Sequence, residues 1–307
     1  MTTKKFYGNG KLLLSGEYVV LDGAQCLAVP TVYGQQMTVA PGAPGQLHWA
    51  SEDHNGNPWF TYVFDLEALF AKENYTAPED QVALRLASLF REARNLNPGF
   101  LRTGQGYRVA TRLGFPRNWG LGSSSTLVSN IADWAGVNPY LLLERTFSGS
   151  GYDIACARNN TAILYRTGSP LPEITPVRFS PAFKSCLYFV HLNRKQDSRE
   201  GIRHYKDLKI PKAQAIRDIT GISLQLSRCR TLEEFEQLLG RHETIIASLV
   251  ALPPVKERLF PDYPGGVKSL GAWGGDFVLV TTENDPRDYF ASRGYHTVLP
   301  YEDMVLC

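Results

Sequence analysis

The chain has 307 residues, and 32 lysines and arginines stand against 30 aspartates and glutamates, which gives a formal net charge of +2 at pH 7. Hydrophobic residues make up 43 % and charged residues 20 %, a composition typical of a globular protein that buries a full core. The length suits two packed lobes. So small a net charge, without any dense lysine–arginine block, argues against nucleic acid as a partner.

The cysteines and the N-terminal segment indicate the cellular compartment of the protein. The five cysteines are Cys26, Cys156, Cys186, Cys229 and Cys307. No two of them have C-x-x-C spacing, and their odd number argues against a disulfide framework. Residues 1–10 contain two lysines without an apolar run after them, and no run of about 18 apolar residues occurs elsewhere. We therefore expect a soluble, cytoplasmic protein with reduced thiols and no membrane partner.

The N-terminal half contains both strand and helix patterns. β-Branched and aromatic residues between glycines predict strands at Lys11–Ser15, Tyr18–Leu21, Gln35–Val39, Tyr107–Leu113 and Thr161–Tyr165. A hairpin is predicted over Leu47–Phe64, with its turn at Asn55–Asn57. Apolar residues at helical spacing predict helices from Pro78 to Asn97, from Ser123 to Trp134, and over Leu141–Phe147 after Asn138.

The run Gly168–Pro172 is the predicted domain boundary, between lobes at 1–170 and 171–307. Beyond it we expect strands at Ser185–Leu192, Phe277–Thr282 and His296–Pro300, helices at 198–207, 211–228 and 231–250, and a loop at Val267–Gly275. His191 lies in an apolar strand and is predicted to be a core histidine. Because strands and helices do not alternate regularly, the predicted fold class is α+β rather than a doubly wound sheet.

The segment Pro116–Ser125 carries the strongest chemical signal. It connects a predicted strand to a predicted helix and contains Gly120 and Gly122 followed by three serines. Glycines let the backbone approach a ligand closely, and the N-terminus of a helix attracts anions. The alternative is an ordinary loop with a serine N-cap. The segment is not a Walker A loop, because no Gly-Lys-Ser/Thr follows at the required spacing.

Two further glycine-rich segments are less specific on their own. In Ser148–Asp153, the carboxylate of Asp153 follows a flexible turn and suits a general base at the floor of a cleft. An N-cap for the next helical turn is the simpler interpretation of Asp153. In Lys268–Asp276 the glycines lead directly into a strand, so a plain hairpin-like connection is the simpler interpretation.

Taken together, four segments resemble the motifs of the GHMP kinases, in the order of that family and over nearly the whole chain. Residues 10–18 (Gly-Lys-Leu-Leu-Leu-Ser-Gly-Glu-Tyr) are similar to the first motif and residues 120–124 (Gly-Leu-Gly-Ser-Ser) to its phosphate loop. Residues 149–153 resemble the segment of the catalytic aspartate, and residues 268–276 resemble the third motif. The first motif is most similar in sequence to mevalonate and phosphomevalonate kinases. Gly-Tyr-Asp-Ile-Ala at 151–155 looks like the characteristic motif of a subgroup of the family.

The resemblance implies a two-lobed α+β fold, with an N-terminal ribosomal-protein-S5-like lobe and a C-terminal ferredoxin-like lobe. It also implies ATP-dependent phosphoryl transfer to a hydroxyl or phosphate of a small metabolite. Asp153 would be the catalytic base, with Lys11 near it to keep the carboxylate ionised; an exposed lysine at a strand end is the alternative for Lys11. ATP would be bound by Asn118, Trp119, Gly120, Leu121, Gly122, Ser123, Ser124 and Ser125.

The same resemblance assigns a metal ion and a substrate site. Ser124 (or Ser123) and Glu144 would bind Mg²⁺, a hard ion that prefers oxygen ligands; a solvated glutamate on a helix face is the alternative for Glu144. The residues assigned to the substrate site are Glu17, Lys195, Ser198, Gly271 and Gly274. Helix capping is the alternative for Ser198.

Three positions depart from the family pattern. Asn9 stands where a proline precedes Gly-Lys, and Asn118 stands where many relatives have glycine. Asparagine tolerates positive φ better than most other residues. Trp273 replaces a glycine of the third motif, so its side chain either lines the site or points away from the phosphates. We expect Trp119 or Trp273 to line the nucleotide cleft, with local packing as the alternative for each.

Two other functions remain open at this point. An ATP-dependent decarboxylase similar to the diphosphomevalonate decarboxylases would keep the fold and change the reaction. A non-catalytic nucleotide-binding regulator is the second, although a sensor needs neither Lys11 nor Asp153. A serine hydrolase is excluded because no Gly-x-Ser-x-Gly elbow is present. The sequence predicts neither the phosphoryl acceptor nor the oligomeric state.

Overall fold

The computed structural model describes residues 2–71, 76–169, 171–194, 198–271, 273 and 275–306, with the side chains of 198 and 199 left out. The chain forms two compact units. The first unit consists of Met1–Gly10, Tyr33–Arg117 and Gly122–Arg158, and the second of Lys11–Val32, Asn118–Leu121 and Asn159–Cys307. The predicted lobes at 1–170 and 171–307 stay a prediction.

Strands and helices of the first unit all come from the N-terminal half. Its strands are β1 (Lys4–Ser15), β2 (Cys26–Pro41), β3 (Gln46–Glu52), β4 (Pro58–Asp65) and β5 (Tyr107–Leu113), the first two of which continue in the second unit. Its helices are α1 (Leu66–Leu69), α2 (Gln81–Leu96), α3 (Ser123–Ala135), α4 (Pro139–Thr146) and α5 (Tyr152–Ala157).

The sheet of the first unit has the order β4-β3-β5-β2, and β1 also pairs with β2. The β3–β5 pair is parallel, while β3–β4 and β2–β5 are antiparallel. Along β5, buried and exposed residues alternate strictly, which is the pattern of a strand with one face on the core. Trp134 of α3 packs edge-on against Phe90, Phe100 and Tyr107, so the helices cover that buried face.

The second unit contains the rest of the elements. Its strands are β6 (Ile163–Arg166), β7 (Glu173–Pro176), β8 (Leu187–His191), β9 (Val267–Leu270), β10 (Phe277–Thr281) and β11 (Val298–Pro300). Its helices are α6 (Ser198–Asp207), α7 (Ala213–Leu226), α8 (Leu232–Val250), α9 (Val255–Leu259), α10 (Arg287–Ala291) and α11 (Tyr301–Met304).

An antiparallel sheet of order β11-β8-β10-β9 lies at the centre of the second unit. All residues of β9 and β10 are buried, so the sheet is covered on both faces at these strands. Elsewhere in this unit the first residues of β2 pair with β6, and β6 pairs with β7. Packed helices and mainly antiparallel sheets confirm the predicted α+β class.

Several predicted elements are confirmed by the structure. The hairpin over 47–64 is β3 and β4, with Asp53 accepting the N–H groups of Asn55 and Asn57 at the turn. Asp80 caps α2, accepting from Val82 N–H and Ala83 N–H. Asn138 caps α4 in the same way. These features depend on neighbouring residues, which is why the sequence predicts them.

Two predicted elements are wrong. The predicted strand Tyr18–Leu21 is a short 3₁₀ turn, Val19–Asp22, because Gly16, Tyr18 and Gly23 all have positive φ and interrupt the extended chain. The predicted loop at 267–275 begins with the buried strand β9 (Val267–Leu270), whose backbone pairs with β10. In the part of the chain that the structure describes, no helix is long and apolar enough to cross a membrane.

Candidate functional site

The helix α3 begins directly after the glycine loop, and its first turn lacks a side-chain cap. Gly122 is the N-cap residue with a φ of 91°, and Gly120 has a φ of 65°, a conformation that favours glycine. Backbone N–H groups in a first turn have no partner within their own helix. The N–H groups of Ser123, Ser124 and Ser125 lie at the positive end of the helix dipole, a position that favours anions, and Ser124 is exposed.

Buried polar contacts fix α3 immediately behind this turn. Thr126 Oγ1 donates to Gln35 Oε1 over 2.7 Å, and Asn130 Nδ2 donates to Gln35 O over 3.0 Å. Gly8 lies so close to Thr126 that an added Cβ would come within 3.2 Å of it. All four residues belong to the first unit. Strands β1 and β2 of that unit therefore hold the start of α3 in one position.

The residues just before Gly122 belong to the second unit, and Lys11 holds them there. The backbone N–H of Lys11 donates to Leu121 O and its Nζ donates to Gly120 O, each over 3.0 Å. Lys11 is only partly exposed, so the alternative of an exposed lysine at a strand end is wrong. A single residue of the first motif thus fixes two consecutive carbonyl groups of the phosphate-loop segment.

The loop residues Asn118 and Trp119 pack on strands β8 and β10. His191 Nε2 lies 3.2 Å from Asn118 O, and since a carbonyl oxygen can only accept, the histidine donates. The Trp119 ring meets Phe277 edge-on, with centroids 5.4 Å apart. His191 is buried and hydrogen-bonded, which confirms the predicted core histidine. Trp119 therefore has a packing role, and nucleotide contact by this ring stays a prediction.

The end of the third glycine-rich segment meets the phosphate-loop segment within the second unit. The backbone N–H of Asp276 donates to Arg194 O over 3.1 Å, and Asp276 O accepts from Leu192 N–H over 2.8 Å. The Asp276 carboxylate lies directly against Gly120, where any larger side chain would clash with it. Gly120 is therefore required both by its positive φ and by this close approach.

Asp153 is the second residue of α5, after Gly151, which is the N-cap with a φ of 88°. The simpler interpretation of Asp153 as an N-cap is therefore wrong. Asp153 is partly exposed, whereas the next four residues of the helix are buried. Helix α5 packs against α3, so the first unit alone carries both this carboxylate and the open first turn.

The predicted metal ligands lie on α3 and α4, which pack against each other. Ser124 is exposed in the first turn of α3, and Glu144 is exposed on α4. The exposure of Glu144 also agrees with the alternative of a solvated glutamate. Among the described residues, no group of three or more histidine, cysteine, aspartate or glutamate side chains is arranged to bind a metal ion.

The structure describes only some of the residues that were predicted to bind the substrate. Gly271 has a φ of 74°, and Ser198 is the first residue of α6. Lys195 and Gly274 lie outside the described residues, as does the side chain of Ser198. Trp273 is buried, and its Nε1 donates to Pro253 O over 3.3 Å, as expected for a packing role.

Glu17, the fifth predicted substrate residue, belongs to a buried ionic network. Lys268 Nζ lies 2.6 Å from Glu17 Oε1 and 3.6 Å from Glu243 Oε1. His242 Nε2 lies 3.1 Å from Glu17 Oε2 and accepts the backbone N–H of Gly16 over 3.0 Å. Lys268 is 0 % exposed and Glu17 1 % exposed, and all members belong to the second unit. We call Glu17, His242, Glu243 and Lys268 the buried ionic network.

The electrostatics of the network follow from its burial. Burial by itself raises the pKa of the Glu17 carboxyl, but the groups around it, the Lys268 ammonium first among them, outweigh burial and lower that pKa to about 2. Glu17 therefore stays ionised at neutral pH. Glu17 is buried and its carboxylate faces the network, and substrate contact by Glu17 stays a prediction.

Sequence reasoning missed two members of this network, His242 and Glu243. A signal for His242 is present in the sequence: the buried stripe of α8 includes Leu238, Leu239 and Ile246, and His242 falls between them at helical spacing. A polar residue in such a stripe needs a buried partner. The sequence does not say which partner, because Glu17 and Lys268 come from distant segments.

The sequence matches no protein-family model and no curated protein. The structure is similar to that of the Methanococcus jannaschii mevalonate kinase, with 12 % identity, a TM-score of 0.70, and coverage of 100 % of this chain and 99 % of that one. It is also similar to the Streptococcus pneumoniae phosphomevalonate kinase in complex with phosphomevalonate and AMPPNP (16 % identity, TM-score 0.66, coverage 99 % and 98 %). A third similar structure is the Lactococcus lactis galactokinase with galactose (13 % identity, TM-score 0.67, coverage 99 % and 95 %).

These similarities extend over almost the full length of both chains in each comparison. The chain therefore has the fold of the GHMP kinases, which confirms the fold that the four motif segments predict. At such low identity the likeness establishes the fold, and the reaction has to be argued from the residues of this chain.

Proposed function

We propose that this chain is an ATP-dependent kinase of the GHMP type, which transfers the γ-phosphoryl group to a small metabolite. The observation that carries the proposal is the open first turn of α3, behind a glycine loop whose sequence resembles the family's phosphate loop. Similarity to kinases over nearly the whole chain, one of them solved with AMPPNP, supports ATP as the donor.

Phosphoryl transfer depends mainly on positioning and charge neutralisation. In the proposed mechanism the N–H groups of Ser123, Ser124 and Ser125 bind the β- and γ-phosphates. The buried hydrogen bonds between α3 and Gln35 keep these donors in place. Asp153, on the adjacent helix α5, accepts the proton of the attacking hydroxyl. Lys11 fixes the carbonyl groups of Gly120 and Leu121 in the loop, and its predicted partnership with Asp153 stays a prediction.

The oxygen donors of Ser124 and Glu144 fit Mg²⁺ by their chemistry, and both are exposed on packed helices. They would bind the ion together with phosphate oxygens, and the ion would neutralise charge on the transferred group. Nothing else in the proposed mechanism depends on these two side chains.

For the phosphoryl acceptor we propose mevalonate or phosphomevalonate. The first motif, residues 10–18, is most similar in sequence to the kinases of those two compounds. Structures of a mevalonate kinase and a phosphomevalonate kinase are among the similar ones, and so are structures of a galactokinase and a heptose 1-phosphate kinase. The test must therefore include sugars.

The test is an acceptor panel with the full chain and Mg-ATP. Mevalonate, phosphomevalonate, diphosphomevalonate, galactose and heptose phosphates are each added, and ADP, phosphorylated product and CO₂ are measured. We expect one compound to yield ADP and phosphorylated product in equal amounts without CO₂, and Asp153→Asn to abolish both. Release of CO₂ would instead identify a decarboxylase. Tight ATP binding without turnover of any compound would favour a nucleotide-binding regulator.

A further inference from the structure

Tyr18 occupies a strained backbone conformation directly after the buried ionic network. Its φ of 63° and ψ of −52° are rare for a residue with a side chain. The N–H of Val19 donates to Glu17 O over 2.7 Å, which closes a γ-turn with Tyr18 at its centre. Turns with this positive φ are rare and strained, and they persist only where the surroundings hold them.

The residues before the γ-turn are held by the network. His242 Nε2 accepts the N–H of Gly16, and the Glu17 carboxylate lies between Lys268 and His242. Lys268 is in β9, the strand that leads into the third glycine-rich segment. The start of the turn and the start of that segment are thus fixed to each other by a buried ion pair.

After the turn, the Tyr18 side chain reaches the same segment a second time. The backbone N–H of Trp273 donates to the Tyr18 hydroxyl oxygen over 2.9 Å. The Tyr18 ring stacks on Tyr205 of α6, with centroids 5.6 Å apart and planes at 21°. A Cβ at Gly201 of α6 would come within 2.8 Å of the Tyr18 hydroxyl, so only glycine leaves it room. The hydroxyl position is therefore closely defined.

We propose that Tyr18 is a positioning residue: its strained turn and its hydroxyl set the backbone of the third glycine-rich segment at Trp273. The structural part of this inference stands on the contacts above. Its consequence for catalysis rests on the proposed function and on the prediction from the sequence that Gly271 and Gly274 of the third segment belong to the substrate site. With the strained turn, the Tyr18 hydroxyl contacts Trp273 while Glu17 stays in the buried ionic network.

The competing explanation is that Tyr18 is an ordinary packing residue of the Tyr18–Tyr205 stack. Tyr205 provides the matched control, because Tyr205→Phe keeps the stack and removes only a hydroxyl that donates to Asp22 Oδ2 over 2.6 Å. Tyr18→Phe likewise keeps the stack and removes only the acceptor for Trp273 N–H. Each variant loses one hydrogen bond of a tyrosine hydroxyl, and only Tyr18→Phe loses the contact to Trp273.

The first experiment measures amide hydrogen exchange in the full chain without ligands. Tyr18→Phe should speed exchange at Trp273 at least about fivefold, because a hydrogen bond is lost, and Tyr205→Phe should not. Unchanged exchange at Trp273 in Tyr18→Phe overturns the proposal, and so does an equal increase in both variants. If Tyr18→Phe does not fold, Gly201→Ala displaces the hydroxyl while favouring the helix, and it must give the same increase.

The second experiment uses whichever acceptor the panel identifies. Tyr18→Phe should raise KM for the acceptor or lower kcat about fivefold, while the Kd for ATP changes less than about twofold. Unaltered kinetics together with faster exchange at Trp273 would overturn the catalytic consequence. If no acceptor is found, the proposed function fails, but the exchange experiment still decides whether Tyr18 sets the backbone at Trp273.

Discussion

Two places in this protein gather groups that bind charge, and they use them in opposite ways. At the start of α3 in the first unit, the proposed anion site consists of backbone N–H groups; the first turn carries no charged side chain, and Ser124 there is exposed. In the second unit, four titratable side chains form the buried ionic network and face one another. The first place is proposed to bind a ligand, whereas the charged groups of the second are enclosed in the protein interior.

The difference shows that a motif residue need not contact the ligand. Glu17 belongs to the segment that resembles the first motif and Lys268 to the third, and the structure pairs them at 2.6 Å in the protein interior. Gly122 and the serines after it form the start of α3, which has no side-chain cap. The following predictions test this contrast between a binding role and an internal one.

The largest expected effect is on turnover, at Asp153. Asp153→Asn keeps the shape of the side chain but removes the proton acceptor, so kcat should fall by roughly 10²–10⁴ while ATP affinity stays nearly constant. Asp133→Asn is the matched control, because Asp133 lies on α3 of the same unit and pairs only at the surface with Arg158, 2.6 Å away. Normal turnover in a folded Asp153→Asn variant would mean that Asp153 is not the base.

The next effect is on stability, in the buried ionic network. Lys268→Met leaves the Glu17 carboxylate buried without its cation, which should lower the free energy of unfolding by about 3–5 kcal/mol. Lys184→Met removes an equally short ion pair with Glu302, but an exposed one, and should cost less than about 1 kcal/mol. Urea denaturation of both variants measures the difference. Equal costs would show that burial does not set the strength of the network.

A smaller effect is expected on nucleotide binding at the start of α3. Gly122→Val puts a branched side chain at the open turn and should weaken ATP binding at least about tenfold, or 1.4 kcal/mol. Gly136→Val imposes the same kind of backbone strain at the other end of α3, where φ is 65°, and should leave ATP affinity unchanged. Titration calorimetry on both variants compares them. Equal losses would indicate a general weakening of the helix rather than a blocked anion site.

The last prediction concerns the pH dependence of stability. The pKa of Glu17 is lowered to about 2 in the folded chain, so its stabilising contribution is complete above its ordinary pKa of 4.5 and is lost as the pH falls toward 2. The free energy of unfolding of the parent chain should therefore fall more steeply between about pH 5 and pH 2 than that of Glu17→Gln. Parallel curves for the two proteins would contradict the assigned charge of Glu17.

Much of the candidate site is predictable from the sequence because it is local. Gly122 followed by three serines after a strand specifies a helix start without a bulky cap, and α3 begins at Ser123. The helix cap at Asp80 and the hairpin of β3 and β4 follow from their neighbours in the same way. Each of these features depends on residues a few positions apart, whose steric and hydrogen-bonding preferences are properties of the chain itself.

Only the tertiary structure decides which polar residues contact one another in the protein interior. Glu17 and Lys268 are 251 positions apart, and His242 and Glu243 come from a helix between them. The sequence also predicts a strand where Tyr18 makes a γ-turn, because local preference favours extended chain there and long-range contacts to Trp273 and Tyr205 override it. A carboxylate is equally suited by its chemistry to a ligand or to a buried lysine, and only the packing of distant segments chooses between them.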